Sequence, residues 1–251
     1  MKIKEQFQKD SKALYSIGLL YVAKKDHVRA LDFFKKAIEV EPDKAELFYQ
    51  YGHTLLDATL QQRKGRYGLK SSELSQLKEA EAYFSKAIEF LESTERKSEL
   101  VDSLINRSVA RAVLDNLEGA LKDINKAADI DKSSSAVYAN RGRLNRLNKE
   151  IGKAITDFER AIELGSNKDE ILPLLLSCFL EQPNPKTKEA IAVINKLYSE
   201  RQIKRSSIAR EFLVECHALE KNFQEAEAII KELYEQYGRR PRIILAEAHL
   251  R

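Results

Sequence analysis

The chain has 251 residues, of which 43% are hydrophobic and 33% are charged, and its formal net charge at pH 7 is +4. With only 9 glycines, 5 prolines and 2 cysteines, it does not have the composition of a disulfide scaffold or a loop-rich protein, and packed helices with charged outer faces are favoured. Because basic and acidic residues are interspersed along most of the chain, the mild positive charge permits a nucleic-acid partner without indicating one.

Small residues recur along the chain with a period near 34. The first unit starts at Ser11 and contains Gly18, Ala30 and Ala37, and Phe34 lies between the alanines. Six alanines occupy one equivalent place in successive units, at separations of 50, 40, 34, 36 and 36 residues: Ala30, Ala80, Ala120, Ala154, Ala190 and Ala226. A period near 34 with insertions is typical of a stack of helix pairs, and such stacks usually bind partners rather than catalyse.

The first unit predicts two helices with a small-residue contact between them. Leu14, Ile17, Gly18 and Tyr21 share one face of the first helix, and Ala30, Phe34 and Ala37 share one face of the second. Asp26 is the predicted N-cap of the second helix, and Pro42 lies just past its end. Small residues on both faces allow the two backbones to approach closely.

The pattern Leu-x₂-Ile-Gly-x₂-Tyr followed by Ala-x₃-Phe-x₂-Ala-x₄-Pro resembles the tetratricopeptide repeat family. The resemblance implies an all-α, right-handed helical solenoid of antiparallel helix pairs, about thirteen helices in all. After an N-terminal extension (1–10), the solenoid covers residues 11–251, with repeats at 11–44, 45–94, 101–134, 135–168, 169–204 and 205–240 and a terminal helix at 241–251. The pentatricopeptide family, which reads RNA, has a similar period but matches the later alanines and their acidic neighbours less well.

No pattern indicates an enzyme, a metal site or a cofactor. The four histidines are not at ligand spacing, and the cysteines, Cys178 and Cys216, lack a C-x₂-C arrangement and are predicted to be buried. The segment Gly65 to Ser71 echoes a phosphate-binding loop, but its glycines are too close together and Gly does not precede Lys70. The first residues lack the apolar segment of a signal peptide, so we expect a cytoplasmic protein without membrane insertion.

Repeat 2 carries an insertion at about residues 61–76. It contains a short basic stretch with Arg63, Lys64, Arg66 and Lys70. One interpretation is a basic loop that binds an acidic partner or nucleic acid. The other is a solvent-exposed connection between helices that has no binding role.

The resemblance also implies where a partner binds, because the first helices of such repeats line an inner groove. Carried over to this sequence, the groove residues are Tyr15, Tyr49, Gln50, His53, Asn106, Asn140, Arg143 and Arg146. Tyrosines supply amphipathic contact area, amides bond a peptide backbone, and arginines can pair with a ligand carboxylate. The alternative is that the tyrosines pack between helices and the arginines are solvated.

One subtype of the family is not expected. Members that clamp the C-terminal carboxylate of chaperones hold it with lysines and asparagines at fixed repeat positions, which here are Tyr15, Leu19, Gln50, Asp102 and Asn106. The cations are missing, and Asp102 has the wrong sign for a carboxylate ligand.

We therefore predict a non-enzymatic interaction module that binds a protein or peptide segment in the groove of repeats 1 to 4. Three alternatives stay open. The chain could bind nucleic acid through the basic loop and the groove arginines, or self-assemble through the terminal helix at 241–251. It could also be the sensor region of a longer protein whose effector domain follows Arg251.

Overall fold

A computed structural model describes residues 10–63, 68–199 and 207–237. The chain divides into two compact units, Met1–Asn140 and Arg141–Arg251. Within the described residues there are helices and turns but no strand, so the fold is all-α. The predicted terminal helix at 241–251 and nearly all of the N-terminal extension lie outside the described residues.

Twelve helices occupy the described residues, two for each predicted repeat. In chain order they are α1 (Ser11–Ala23), α2 (His27–Val40), α3 (Ala45–Gln62), α4 (Ser71–Glu92), α5 (Lys97–Val113), α6 (Leu117–Ile130), α7 (Ser135–Leu147), α8 (Ile151–Glu163), α9 (Lys168–Leu180), α10 (Thr187–Ser199), α11 (Ser207–Leu219) and α12 (Phe223–Tyr237). Within each unit, helices that are neighbours in sequence also pack side by side, as expected for stacked helix pairs.

Local chemistry explains where several helices begin. The Asp26 side chain accepts a hydrogen bond from the Arg29 amide, which confirms the predicted N-cap of α2. Asn116 caps α6 in the same way through the Gly119 amide. The turns inside repeats 1 and 3 each contain one residue in the left-handed region, Lys25 (φ 58°) and Asp115 (φ 64°). Because this geometry reverses the chain in about three residues, the two helices of a repeat lie against each other.

The recurrent small residues form the contact between paired helices. All six equivalent alanines are fully buried. Phe34, Phe84 and Phe158 are buried beside them, and each lies against a glycine of the preceding helix: Gly18, Gly52 and Gly142 respectively. A glycine opposite a phenylalanine ring allows the helices to approach to a distance that a Cβ atom would prevent. The packing core follows the repeat signature that the sequence carries.

Much of the predicted insertion in repeat 2 is helical. Helix α3 continues to Gln62 and α4 begins at Ser71, so both are longer than the helices of repeat 1. Next to the added turns, Leu56 of α3 and Leu77 of α4 are buried in one core cluster. The Thr59 hydroxyl lies 3.2 Å from Oε1 of Gln76. Residues 63–70 separate the two helices.

Candidate partner-binding face

The predicted groove residues of repeats 1 to 3 meet on one face of the unit Met1–Asn140. Nδ2 of Asn106, on α5, donates a hydrogen bond to the Tyr49 hydroxyl, on α3, at 3.3 Å. Tyr15, on α1, packs against the same buried core cluster as Tyr49, and the Glu46 carboxylate, on α3, helps to raise the pKa of the Tyr15 phenol. Three first helices therefore contribute to one surface, which we call the first-helix face: Tyr15, Glu46, Tyr49, His53, Asp102 and Asn106.

Both tyrosines of the first-helix face are half-buried and rest on the core. The Tyr15 ring centroid lies 5.8 Å from that of Phe34, and the Tyr49 centroid lies 6.1 Å from that of Phe84. Tyr49 also stacks on His53, with 5.8 Å between centroids. Burial is the main cause that raises the pKa of both phenols above the ordinary value. The rings are held from one side, which leaves their other sides on the surface.

The polar residues at one helical position of this face have the same conformation. Nδ2 of Asn106 donates to the carbonyl of Asp102 at 2.8 Å, and Nδ2 of Asn140, 34 residues later, donates to the carbonyl of Ala136 at 2.9 Å. The Ser16 hydroxyl donates one turn back in the same way, at 2.9 Å. Gln50 holds the equivalent position in repeat 2. One N–H of each asparagine and the Ser16 hydroxyl proton are used within their own helices, while the asparagine side-chain oxygens stay available as acceptors.

Asp102 is an exposed carboxylate with carboxylate neighbours. Burial against surrounding groups raises its pKa above the ordinary value, and the charge of Glu99 raises it further, while His53 acts in the opposite direction. Glu99 itself is held by Arg96, whose Nε donates to its carboxylate at 2.5 Å. For Asp102 no side-chain hydrogen bond or ion pair occurs within the described part of the chain.

Sequence reasoning missed the acidic character of this face. It treated Asp102 only as a mismatch to the chaperone clamp, and it did not select Glu46. The signal was present, because both carboxylates lie at the second position of a repeat, one in repeat 2 and the other in repeat 3.

The two predicted groove arginines lie in the unit Arg141–Arg251. Arg146 forms an ion pair with Glu181, and its Nε lies 3.1 Å from Oε2 of that residue. Arg143 is half-buried, and burial lowers the pKa of its guanidinium while the charge of Glu170 opposes that shift. Arg146 thus already has a carboxylate partner within the chain.

The basic stretch of repeat 2 is described only at its ends. Lys64 and Arg66 lie outside the described residues. Arg63 follows the last turn of α3 and is partly buried. The backbone amide of Lys70 donates to the carboxylate of buried Glu73 at 2.9 Å, and this bond fixes the start of α4.

A cavity of about 420 Å³ lies in the unit Arg141–Arg251, between α8, the start of α9, and α10. Its charged lining is balanced: Glu159 and Glu163 are accompanied by Lys168 and Lys196. Burial raises the pKa of Glu159, and the charge of Glu163 raises it further. The cavity includes none of the predicted groove residues.

Within residues 10–63, 68–199 and 207–237, no group of three or more His, Cys, Asp or Glu side chains is arranged to hold a metal ion. None of the helices described there combines the length and the apolar character needed to cross a membrane.

Solved structures with the same fold include Pseudomonas aeruginosa pilF, with a TM-score of 0.66 and 15% identity over 95% of this chain and 96% of that one. MamA gives a TM-score of 0.53 and 14% identity over 92% of this chain and 96% of its own. YrrB, described as a TPR protein with an unusual peptide-binding site, gives a TM-score of 0.50 and 14% identity over 98% of this chain and 96% of its own. At such identities the likeness shows the fold. No curated protein matches the chain in sequence.

Two segments of the chain match models of the tetratricopeptide repeat, residues 11–44 and residues 135–167. The first segment contains α1 and α2, and the second contains α7 and α8, so each match spans one complete helix pair. The alanines, glycines and phenylalanines that carry the repeat signature form the contact inside both pairs. Residues 11–44 and 135–167 are therefore tetratricopeptide repeats.

Proposed function

We propose that this protein is a non-enzymatic scaffold that holds a peptide or partner segment on the first-helix face. Tetratricopeptide repeats serve generally as protein-interaction scaffolds. The observation that carries the proposal is the hydrogen bond between Asn106 and Tyr49. It joins groove residues of two repeats into one surface.

The arrangement favours binding because few side chains of the face have to lose conformational freedom when a partner binds. Tyr15 and Tyr49 are already held against buried Phe34 and Phe84, and Asn106 is fixed by two hydrogen bonds. Immobilising a flexible side chain at an interface costs about 0.5–1.5 kcal/mol, and rigid rings avoid most of that cost. Tyrosines of this kind often dominate the free energy of binding.

The test is a comparison of captured partners between two matched variants. Tyr49→Ala/Asn106→Ala removes the contact across the first-helix face. Phe90→Ala/Asn125→Ala removes an exposed aromatic ring and an exposed amide from the second helices of the same two repeats. Wild type and both variants are immobilised, incubated with source-cell lysate with and without nuclease, and compared by quantitative mass spectrometry.

We expect a protein partner that survives nuclease treatment, is lost from the first variant and is retained by the second. Circular dichroism establishes that both variants keep their helicity. A partner retained by Tyr49→Ala/Asn106→Ala excludes the first-helix face as its site. Loss of binding on nuclease treatment alone would instead support nucleic-acid binding.

A further inference from the structure

We propose that the segment bound on the first-helix face is cationic, and that it presents Lys or Arg side chains to Asp102 and to the acceptor oxygens beside it. This inference rests on the proposed function and names the chemical class of the partner. It arises from hydrogen-bonding capacity, charge and ring geometry, each of which selects the same kind of ligand.

Around Asp102 the first-helix face presents hydrogen-bond acceptors. The Ser16 hydroxyl proton is used by the carbonyl of Lys12. Both hydrogens of the Asn106 amide are used, one by Tyr49 and one by the carbonyl of Asp102. Beside Asp102 the Asn106 side-chain oxygen and the Asp102 carboxylate are left as acceptors, and the Tyr49 hydroxyl keeps its own proton as a donor. Lys and Arg side chains carry three and five N–H donors respectively and no acceptor.

The charges on the face favour a cation. Glu46, Asp102 and Glu99 lie close enough to act on the two tyrosines. Arg96 is the cation beside them, and it is already bound to Glu99. Lys12 is also exposed on α1. Asp102 thus stays a carboxylate without an ionic partner within the described chain. An incoming ammonium or guanidinium would form the charge-assisted hydrogen bonds that this group lacks.

The aromatic rings suit the same ligand. Tyr49 and His53 stack on each other at an interplanar angle of 28° and lie on the helix that also carries Glu46. A guanidinium stacks on such a surface and pairs with a carboxylate at its edge, because it is planar and weakly hydrated. An ammonium can make the ionic contact but stacks less well, so Arg is preferred over Lys.

Other occupants fit this surface poorly. An acidic segment or a nucleic-acid backbone would bring negative charge toward Asp102 and Glu46, which is unfavourable at close range. A wholly apolar segment would remove both carboxylates from water without supplying a positive charge.

The experiment starts from an unbiased probe, a random dodecapeptide library displayed on phage and selected against the immobilised full chain. The same selection is carried out on Tyr49→Ala/Asn106→Ala. Peptides bound by wild type and not by that variant are taken as ligands of the first-helix face. We expect these peptides to be enriched in Arg, and to a lesser degree in Lys, relative to the unselected library.

One enriched peptide is then synthesised with a fluorophore and titrated against Asp102→Asn. Asp129→Asn is the matched control, since Asp129 is exposed on the second helix of the same repeat. We expect about tenfold weaker binding for Asp102→Asn at low ionic strength, little change for Asp129→Asn, and a smaller difference at high salt. A charge-reversed peptide in which each Arg is Glu should not bind wild type.

The outcomes separate the two proposals. Peptides that depend on Tyr49 and Asn106 but show no enrichment in Arg or Lys, or bind Asp102→Asn as well as wild type, overturn the cationic ligand and leave the proposed function standing. If every selected peptide also binds Tyr49→Ala/Asn106→Ala, the first-helix face is not the site and both proposals fail.

Discussion

Arg107 of α5 and Asp123 of α6 form a two-pronged ion pair inside repeat 3. Nε of Arg107 donates to Oδ2 of Asp123 at 2.8 Å, and Nη2 donates to Oδ1 at 2.7 Å. Arg111, one turn further along α5, donates to Oδ2 of the same carboxylate at 2.9 Å and to Glu81 of α4 at 2.7 Å. One buried carboxylate therefore ties the two helices of repeat 3 to each other, and Arg111 joins them to repeat 2.

The same pair recurs 34 residues later. Arg141 donates to Asp157, with Nη2 to Oδ1 at 2.6 Å, in the unit Arg141–Arg251. In repeat 2 the equivalent positions hold Tyr51 and Tyr83, whose ring centroids are 4.3 Å apart. One structural position thus accepts either an aromatic pair or an ion pair, since both fill the space between the helices of a repeat.

We expect Asp123→Ala to lower the free energy of unfolding by about 3 kcal/mol, because it leaves two mostly buried guanidinium groups without their shared partner. Asp129→Ala, on the exposed side of the same helix, should change it by less than about 0.5 kcal/mol. Urea denaturation followed by circular dichroism measures both. Equal midpoints for the two variants would mean that the ion pair contributes nothing to stability.

The fold was predictable because its main signal is local and repeated. Gly18, Ala30 and Phe34 lie at helical spacings that define faces, and Asp26 and Pro42 delimit a helix within a few residues. These features recur in phase, and periodicity fixes which residues face the partner helix.

The ion-pair network and the acidic face could not be predicted in this way. In the sequence, Arg111 is visible only as an arginine at the place that Tyr21 holds in repeat 1. Its partners, Glu81 and Asp123, are 30 and 12 residues away. Periodicity shows which side of a helix a residue occupies, but it does not show which side chain of a neighbouring helix lies opposite. For the same reason the use of both Asn106 amide hydrogens was visible only in the structure.

Alanine substitutions at two glycines of repeat 4 should have opposite effects on the stability of the fold. A Cβ atom at Gly142 would lie 2.7 Å from Cδ1 of the fully buried Phe158, whereas at Gly152 it would meet nothing within 4 Å. We expect Gly142→Ala to destabilise by about 1–3 kcal/mol through overpacking. Gly152→Ala should stabilise by about 0.5 kcal/mol, since alanine favours the helix. Thermal unfolding of both variants tests this, and a neutral Gly142→Ala would contradict the close helix contact.

Both cysteines should be inert in the native protein. Cys178 and Cys216 are fully buried, and burial raises the pKa of their thiols to about 11 and about 12. At about pH 8 the thiolate fraction of Cys178 is then about a hundredfold below that of an ordinary thiol. We expect no alkylation by iodoacetamide under native conditions and alkylation of both residues in urea, as measured by mass spectrometry. Rapid alkylation of either residue in the folded chain would contradict its burial.

The raised pKa of Asp102 predicts a conflict between stability and binding. A carboxyl whose pKa is higher in the folded chain than in the unfolded chain favours folding only where it is protonated. That contribution is fully present below the unfolded pKa and is lost as the pH rises through the folded pKa. At neutral pH the ionised Asp102 is therefore a cost to the fold. The same charge is the group that the proposed cationic segment would bind.

Asp102→Asn should consequently unfold at a higher temperature than wild type near neutral pH, with the difference shrinking as the pH falls through the raised pKa of the wild-type carboxyl. Asp131→Asn should change the stability at neutral pH in the opposite direction, because hydrogen bonds from the side chain and backbone of Ser133 lower the pKa of Asp131. That variant should be less stable than wild type at neutral pH, and the loss should fade in acid. Differential scanning calorimetry across this pH range measures both trends. A neutral-pH destabilisation by Asp102→Asn would mean that the ionised carboxylate has a favourable partner in the folded chain, which would leave a cationic ligand little to add.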